Sequence, residues 1–182
     1  MNTNGVLSFR EAFTSGSSGG NGFNSIALTH PIIAPFWDNI DTNFGGQIHF
    51  RQELDPTITD AVQLDISAKF PDVTGFFPTL VYVVTWEMVE PSSSTFRGLV
   101  NTFQAVIASD GVNSFVRFNY GDLQWETGAL IGISAGDTVN FIQDPSSLTA
   151  SVLSLANSAL VYRIDVDNVP CKFYGNITYI VL

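Results

Sequence analysis

The stretch NTFQAVIASDGVNSFVRFNYGDLQW, residues 101–125, decides the fold. Two runs in which apolar and polar residues alternate flank Asp110-Gly111, and a period of two marks strands with one buried face. Asp-Gly suits a two-residue hairpin turn, because both central positions need positive φ. That turn places Ser109 opposite Val112, Ala105 opposite Val116 and Phe103 opposite Phe118. One face then carries Phe103, Ala105, Val116, Phe118 and Tyr120, the expected core face, while the other sets Gln104 opposite Arg117.

Outward from this hairpin the pattern stays strand-like. TLVYVVTWEMV (79–89) is apolar at nearly every position and reads as a central strand covered on both sides. GVLSF (5–9), IIAPFWDNI (32–40), GQIHFR (46–51), ALIGIS (129–134), TVNFI (138–142) and LVYRIDV (160–166) read as further strands, with TSGSSGGNGFNS (14–25) as a surface loop. Two segments break the pattern. After Asp55-Pro56, an N-cap followed by proline at the first helical position, Ile58, Ala61, Val62 and Ile66 form an apolar helical stripe. Asp144-Pro145 repeats the device before SSLTASVLSLANS, with Leu148, Val152, Leu153 and Ala156 as its stripe. The expected fold is α+β but mainly β: antiparallel or mixed sheets with two helices packed against them.

A length of 182 residues fits one domain with a full core. Charged residues make up 13%, about half the usual share, so the chain has ample apolar surface to offset its conformational entropy. The net charge of −10 and the scattering of all seven basic residues argue against nucleic-acid binding. No run of 18 apolar residues is present, so no helical membrane span is expected. Cys171 is the single cysteine, which excludes a disulfide framework within the chain and a thiolate zinc site. It is either a free thiol or half of a bridge whose partner lies outside these 182 residues. MNTNGVLSF lacks the basic start and apolar stretch of a signal peptide. Read alone, that predicts a cytosolic protein; the alternative is a fragment of a longer chain.

PFWDNIDTNFGG (35–46) holds the candidate site. As catalysts, Asp38 and Asp41 would have to converge on one substrate, yet three residues apart on a strand they point to opposite faces. As a calcium site, Asp38, Asp41 and Asn43 supply hard oxygen ligands, without the spacing of an EF-hand. As structure, Asp41, Thr42 and Asn43 bond their own backbone and Gly45-Gly46 supply positive φ, beside a core Trp37. No nucleophile elbow, His-Glu-x-x-His or phosphate loop occurs, and no catalytic residue is assigned. Trp86 and Trp125 read as core, and His49 as an outward-facing strand residue. Asn176-Ile177-Thr178 fits a glycosylation sequon.

NGVLSF, PIIAPFWDNIDT with GGQIHFR, VVTWEMV, NTFQAVIASDG, SFVRFNYGDLQWETG and LVYRID occur in one order along the chain. Together they resemble the nidogen-like domain, the extracellular module of nidogens, alpha-tectorin and membrane mucins. The resemblance covers 1–166 as one domain and leaves 167–182 as a C-terminal extension or the start of a neighbouring module. It implies a non-enzymatic, secreted or cell-surface domain serving cell–matrix adhesion or matrix assembly. Extracellular matrix proteins or glycoproteins would be its partners, with flanking modules in a longer parent chain. The rival readings are a calcium-dependent carbohydrate or glycoprotein binder, and a hydrolase using Asp38, Asp41, Glu87 and Asp122.

Overall fold

The alternating segments resolve, in the computed structural model, into two antiparallel sheets. Residues 1–16, 21–26, 28–149 and 151–165 are described. In chain order the elements are β1 Leu7–Ser8, β2 Ile32–Trp37, β3 Gln47–Gln52, α1 Pro56–Lys69, β4 Leu80–Val89, β5 Asn101–Ser109, β6 Ser114–Leu123, β7 Leu130–Ser134, β8 Phe141–Gln143, α2 Ser146–Thr149 and β9 Ala159–Arg163. One sheet has the order β1-β2-β7-β8, the other β3-β4-β5-β6-β9.

The main core lies between the sheets. Ile33, Phe36, Ile131 and Ile133 from the smaller sheet meet Val84, Trp86, Phe103, Ala105, Ile107, Val116, Phe118 and Tyr120 from the larger. The face expected for the central hairpin is thus the buried one. Phe103 stacks between Phe36 and Trp86, with ring centroids 5.2 and 5.0 Å away, a geometry worth about 1 kcal/mol per aromatic pair beyond area burial. On the outer side of the large sheet, Val62 and Ile66 of α1 cover Val81, Val83, Val106, Ala108 and Phe115. The central strand β4 is therefore covered on both faces along its first half. Beyond that, Thr85 is half-buried, and Glu87 and Met88 are exposed.

The hairpin register differs from the expectation by two residues. Ser109 pairs with Ser114, Ala105 with Phe118 and Phe103 with Tyr120. The loop holds four residues, because the Asp110 carboxylate accepts the N–H groups of Val112 and Asn113 at 2.8 and 2.6 Å and the Asn113 side chain at 3.0 Å. A shift of two preserves every facing, so the core residues were right and their partners were not.

The helices also differ. In α1, Asp55 accepts from Thr57 N–H as N-cap and Pro56 opens the helix, but only Val62 and Ile66 are buried; Ile58 and Ala61 are exposed. The helix rests on the sheet along a narrow line. The second helix is not continuous: α2 spans a single turn, and after an extended Ser151 a separate 3₁₀ turn runs from Val152 to Leu155. Serine explains the break. Ser151 accepts from Leu153 N–H, while the hydroxyls of Ser154 and Ser158 donate to the carbonyls of Ser151 and Leu155, which competes with helical bonding. Val152 is nonetheless buried in the main core, with Leu153 and Ala156 packed on it. The fold is mainly β with one full helix.

Candidate interaction surface

Antiparallel pairing brings the segments after β2, between β4 and β5, and between β6 and β7 to the same end of the sandwich. Asp38 joins two of them. It is fully buried; one carboxylate oxygen accepts Thr127 N–H at 2.6 Å, and the other accepts Asn39 N–H at 2.7 Å and the Thr127 hydroxyl. Asp41 turns elsewhere, accepting the backbone and side-chain N–H groups of Asn43 at 2.9 and 2.8 Å. The two carboxylates therefore serve separate local purposes, and Asn43 is the partner of Asp41. Among the described residues, no group of three or more His, Cys, Asp or Glu is placed to hold a metal ion. The other acidic candidates are similarly dispersed: Glu87 bonds His49 at 3.1 Å on the exposed sheet face, and Asp122 is exposed on β6.

The third segment is tied in by backbone bonds. Asp41 N–H donates to Glu90 O and Ser92 N–H to Asn39 O. Gly46, at φ +82°, lies so close that an added Cβ would sit 2.6 Å from the carbonyls of Glu87 and Met88. On this frame stands Phe44, 48% exposed, with the Arg97 guanidinium 3.2 Å above its ring. Met88 and Leu99 are the other exposed apolar side chains here. Met88 occupies a bulge at φ +51°, a conformation rare outside glycine and associated with functional positions. The end of the sandwich thus presents apolar side chains and one stacked cation on a backbone that is locked in place.

Along the outer face of the large sheet runs a second, polar and half-buried feature. Gln104 donates to the Thr85 hydroxyl at 2.7 Å, Asn119 to Gln104 at 3.0 Å, and Arg117 to Asn119 at 2.6 Å. Arg117 also pairs with Asp65 of α1. The side chains form one hydrogen-bonded row across β4, β5 and β6.

The sequence pattern of the nidogen-like domain matches residues 1–163. The chain belongs to the nidogen-like domain family. It is 33% identical to mouse alpha-tectorin over 178 residues, covering 88% of this chain and 8% of that protein. Over 135 residues it is 34% identical to human nidogen-1, with 70% and 10% covered. Over 155 residues it is 26% identical to dendrite extension defective protein 1 of Caenorhabditis elegans, with 84% and 13% covered. The chain therefore spans about a tenth of the length of these relatives, which include extracellular matrix proteins. No solved structure matches it.

In this nidogen-like domain the motif residues hold the frame. Asn101 of NTFQ is fully buried; its side-chain oxygen accepts Gln124 N–H and Trp125 N–H, and its amide donates to Trp125 O at 2.9 Å. Trp125 donates its indole N–H to Val89 O at 3.1 Å, Trp86 to Asn2 O at 3.2 Å, and Trp37 to Gly16 O at 3.1 Å. Tyr120 donates to Pro35 O at 2.8 Å, and burial pushes its phenol pKa well up. All three tryptophans are core.

Sequence reasoning missed a repeated device at the opposite end of the nidogen-like domain. Asp137 accepts Val139 N–H, Asn140 N–H and the Asn140 amide, reproducing the Asp110–Asn113 arrangement. The shared Asp-x-Val-Asn pattern was the available signal. The Asn140 bonds hold the Asp137 carboxyl below its ordinary value. At Asp110 burial pushes the carboxyl up, and the bonds from Asn113 and Val112 outweigh it. Cys171 and Asn176 lie outside the described residues.

Proposed function

We propose that this chain is a non-enzymatic, extracellular interaction domain that contributes to matrix assembly or cell–matrix adhesion within a longer parent protein. The observation that carries the reading is the division of labour at the loop end. The acidic and aromatic motif residues are consumed in fixing the backbone, while Phe44, Met88, Leu99 and Arg97 remain exposed on it. Aromatic, methionine and arginine side chains are enriched in protein interfaces, arginine also at their energetic centres, and a frame fixed beforehand lowers the ordering cost of binding. Similarity to alpha-tectorin and nidogen-1 supports a matrix protein or glycoprotein as the partner.

Binding of the chain, presented within its parent, to immobilised collagen, laminin and matrix glycoproteins tests this. Phe44→Ala and Arg97→Ala are expected to weaken binding by about tenfold each, the scale of an interface anchor. Absence of binding to every matrix component would sink the reading.

Further parts of the same proposal are a domain ending near residue 166, residues 167–182 beginning a neighbouring module, and a glycan on Asn176. A glycosidase-sensitive mass shift, abolished by Asn176→Gln, checks the glycan. Calcium held by Asp38, Asp41 and Asn43 is the second reading: the three supply hard oxygen donors close together in sequence, and binding would require Asp38 to release Thr127 and Asn39. It predicts that a chelator lowers the melting temperature and that calcium restores it; an unchanged transition removes it.

A further inference from the structure

Strand β3 lies at an edge of the five-stranded sheet. It pairs with β4 without interruption from Gln47 to Gln52, and no described strand pairs with its other side. Glu53, one residue beyond it, donates its N–H to Val81 O at 2.8 Å. Bonded pairs alternate along an antiparallel ladder, so Arg51, His49 and Gln47 turn their backbone groups toward β4. Ile48, Phe50 and Gln52 turn theirs toward the open side.

Nothing in the strand blocks that side. Natural edges are blunted by short length, charged side chains, proline or a bulge; β1, β8 and β9 have two, three and five residues against the six of β3, whose one charged side chain, Arg51, is paired with Glu53 at 2.8 Å. QIHFRQ contains no lysine, no proline and none of the chain's 17 carboxylates, and its register has no bulge. Phe50 is 48% exposed and shares its face with Ile48.

We propose that β3 pairs antiparallel with β3 of a second copy of this chain, about a two-fold axis through Phe50. The open groups are self-complementary in that register. Phe50 exchanges hydrogen bonds with Phe50 of the second copy, Ile48 with Gln52, and Gln52 with Ile48, so every outward backbone group of the strand is used. Both copies keep the same face toward their cores, and the two Phe50 rings lie beside the axis as a cross-strand aromatic pair. On the opposite face His49 meets Arg51 of the second copy. Each already has its own carboxylate, Glu87 at 3.1 Å and Glu53 at 2.8 Å, so no uncompensated like charges are brought together. The net charge of −10 on each copy opposes approach at long range, and salt screens it. Self-association therefore strengthens with ionic strength, the reverse of an acidic chain gripping a basic partner.

Sedimentation velocity of the 182-residue chain carrying Cys171→Ser, which excludes a disulfide dimer, tests this from about 1 μM to about 1 mM, the range of weak affinities. The expected result is a concentration-dependent dimer that tightens between about 0.05 and about 0.5 M NaCl and persists in Val112→Lys at a distant hairpin tip. Phe50→Pro removes an N–H that β4 does not use, a tolerated place for edge proline, and Phe50→Lys places a charge on the axis. Both are expected to be monomeric, with a melting temperature close to that of the unsubstituted chain at concentrations where the latter is also monomeric; if the proline variant fails to fold, the lysine variant decides. A monomer at every concentration overturns the proposal, as does a dimer that survives Phe50→Lys or weakens with salt. A monomer that pairs through this edge only with an added extended peptide assigns it to another occupant and also overturns the proposal. No matrix component is present, so the result leaves the proposed matrix role to its own test.

Discussion

Asp38 shows how a residue suited to catalysis or metal binding becomes structural. Its carboxylate gathers one N–H from the neighbouring Asn39 and an N–H and a hydroxyl from Thr127, 89 positions away in sequence, and a buried carboxylate persists only when its lone pairs are so occupied. Asp38→Ala strips the partner from Thr127 and Asn39. Because both of those residues are otherwise exposed, water replaces part of the loss, and the expected cost is about 2 kcal/mol. Thr127→Val removes the hydroxyl alone and costs about 1 kcal/mol. Urea unfolding of both variants and of the double variant checks this: a double-variant cost well below the sum of the singles shows that they report on one interaction. Asn101→Asp is the sharper change. The donor to Trp125 O becomes a carboxylate oxygen facing a carbonyl in a fully buried site, with an expected loss of about 3 kcal/mol. The sequence showed an aspartate beside a core tryptophan but not Thr127, because that partner arrives only when β2 and β7 pair.

At the scale of the element, the signals that were legible are those written within a few residues. The Asp55-Pro56 start of α1 is local chemistry, and Asp55→Ala is expected to cost about 1 kcal/mol by leaving Thr57 N–H without its acceptor, read as a lower urea midpoint at an unchanged slope. Strand periodicity was legible for the same reason, and with it the buried face of the hairpin. The errors arose where a side chain outside the pattern decided. Asn113 enlarged the loop by closing the Asp110 cage, which a dipeptide turn rule does not see. The serines around Ser151 divided the second helix, although its apolar spacing fits one. Ile58 and Ala61 fell off the buried stripe because α1 meets the sheet along a single line, set by tertiary packing. The bulge at Met88, and with it the exposed patch, had no local signature.

The whole molecule carries 17 carboxylates against seven basic residues, and its stability against pH is set by a few groups with opposite senses. Glu53 is held below the ordinary carboxylate value, foremost by the N–H of Asp55 and the Arg51 side chain; Asp110 and Asp137 are also lowered. A carboxyl lowered on folding contributes its stability above about pH 4, the unfolded value, and loses it as pH falls through the folded one. The tyrosines act at the other limit. Burial raises Tyr120, and burial together with Asp144, which accepts the Tyr162 hydroxyl at 3.1 Å, raises Tyr162. Above about pH 10 the unfolded chain releases these phenolic protons and the native state retains them, so stability falls with rising pH by about 1.4 kcal/mol per unit for each group. The melting temperature is expected to hold a broad plateau, falling below about pH 4 and above about pH 10. Calorimetry across pH checks both limbs. Glu53→Gln flattens the acid limb and leaves the alkaline one, whereas Tyr162→Phe removes one of the two alkaline contributions. An alkaline limb unaltered in Tyr162→Phe would show that this phenol ionises as readily in the folded chain as in the unfolded one, and that the Asp144 contact does not hold its proton.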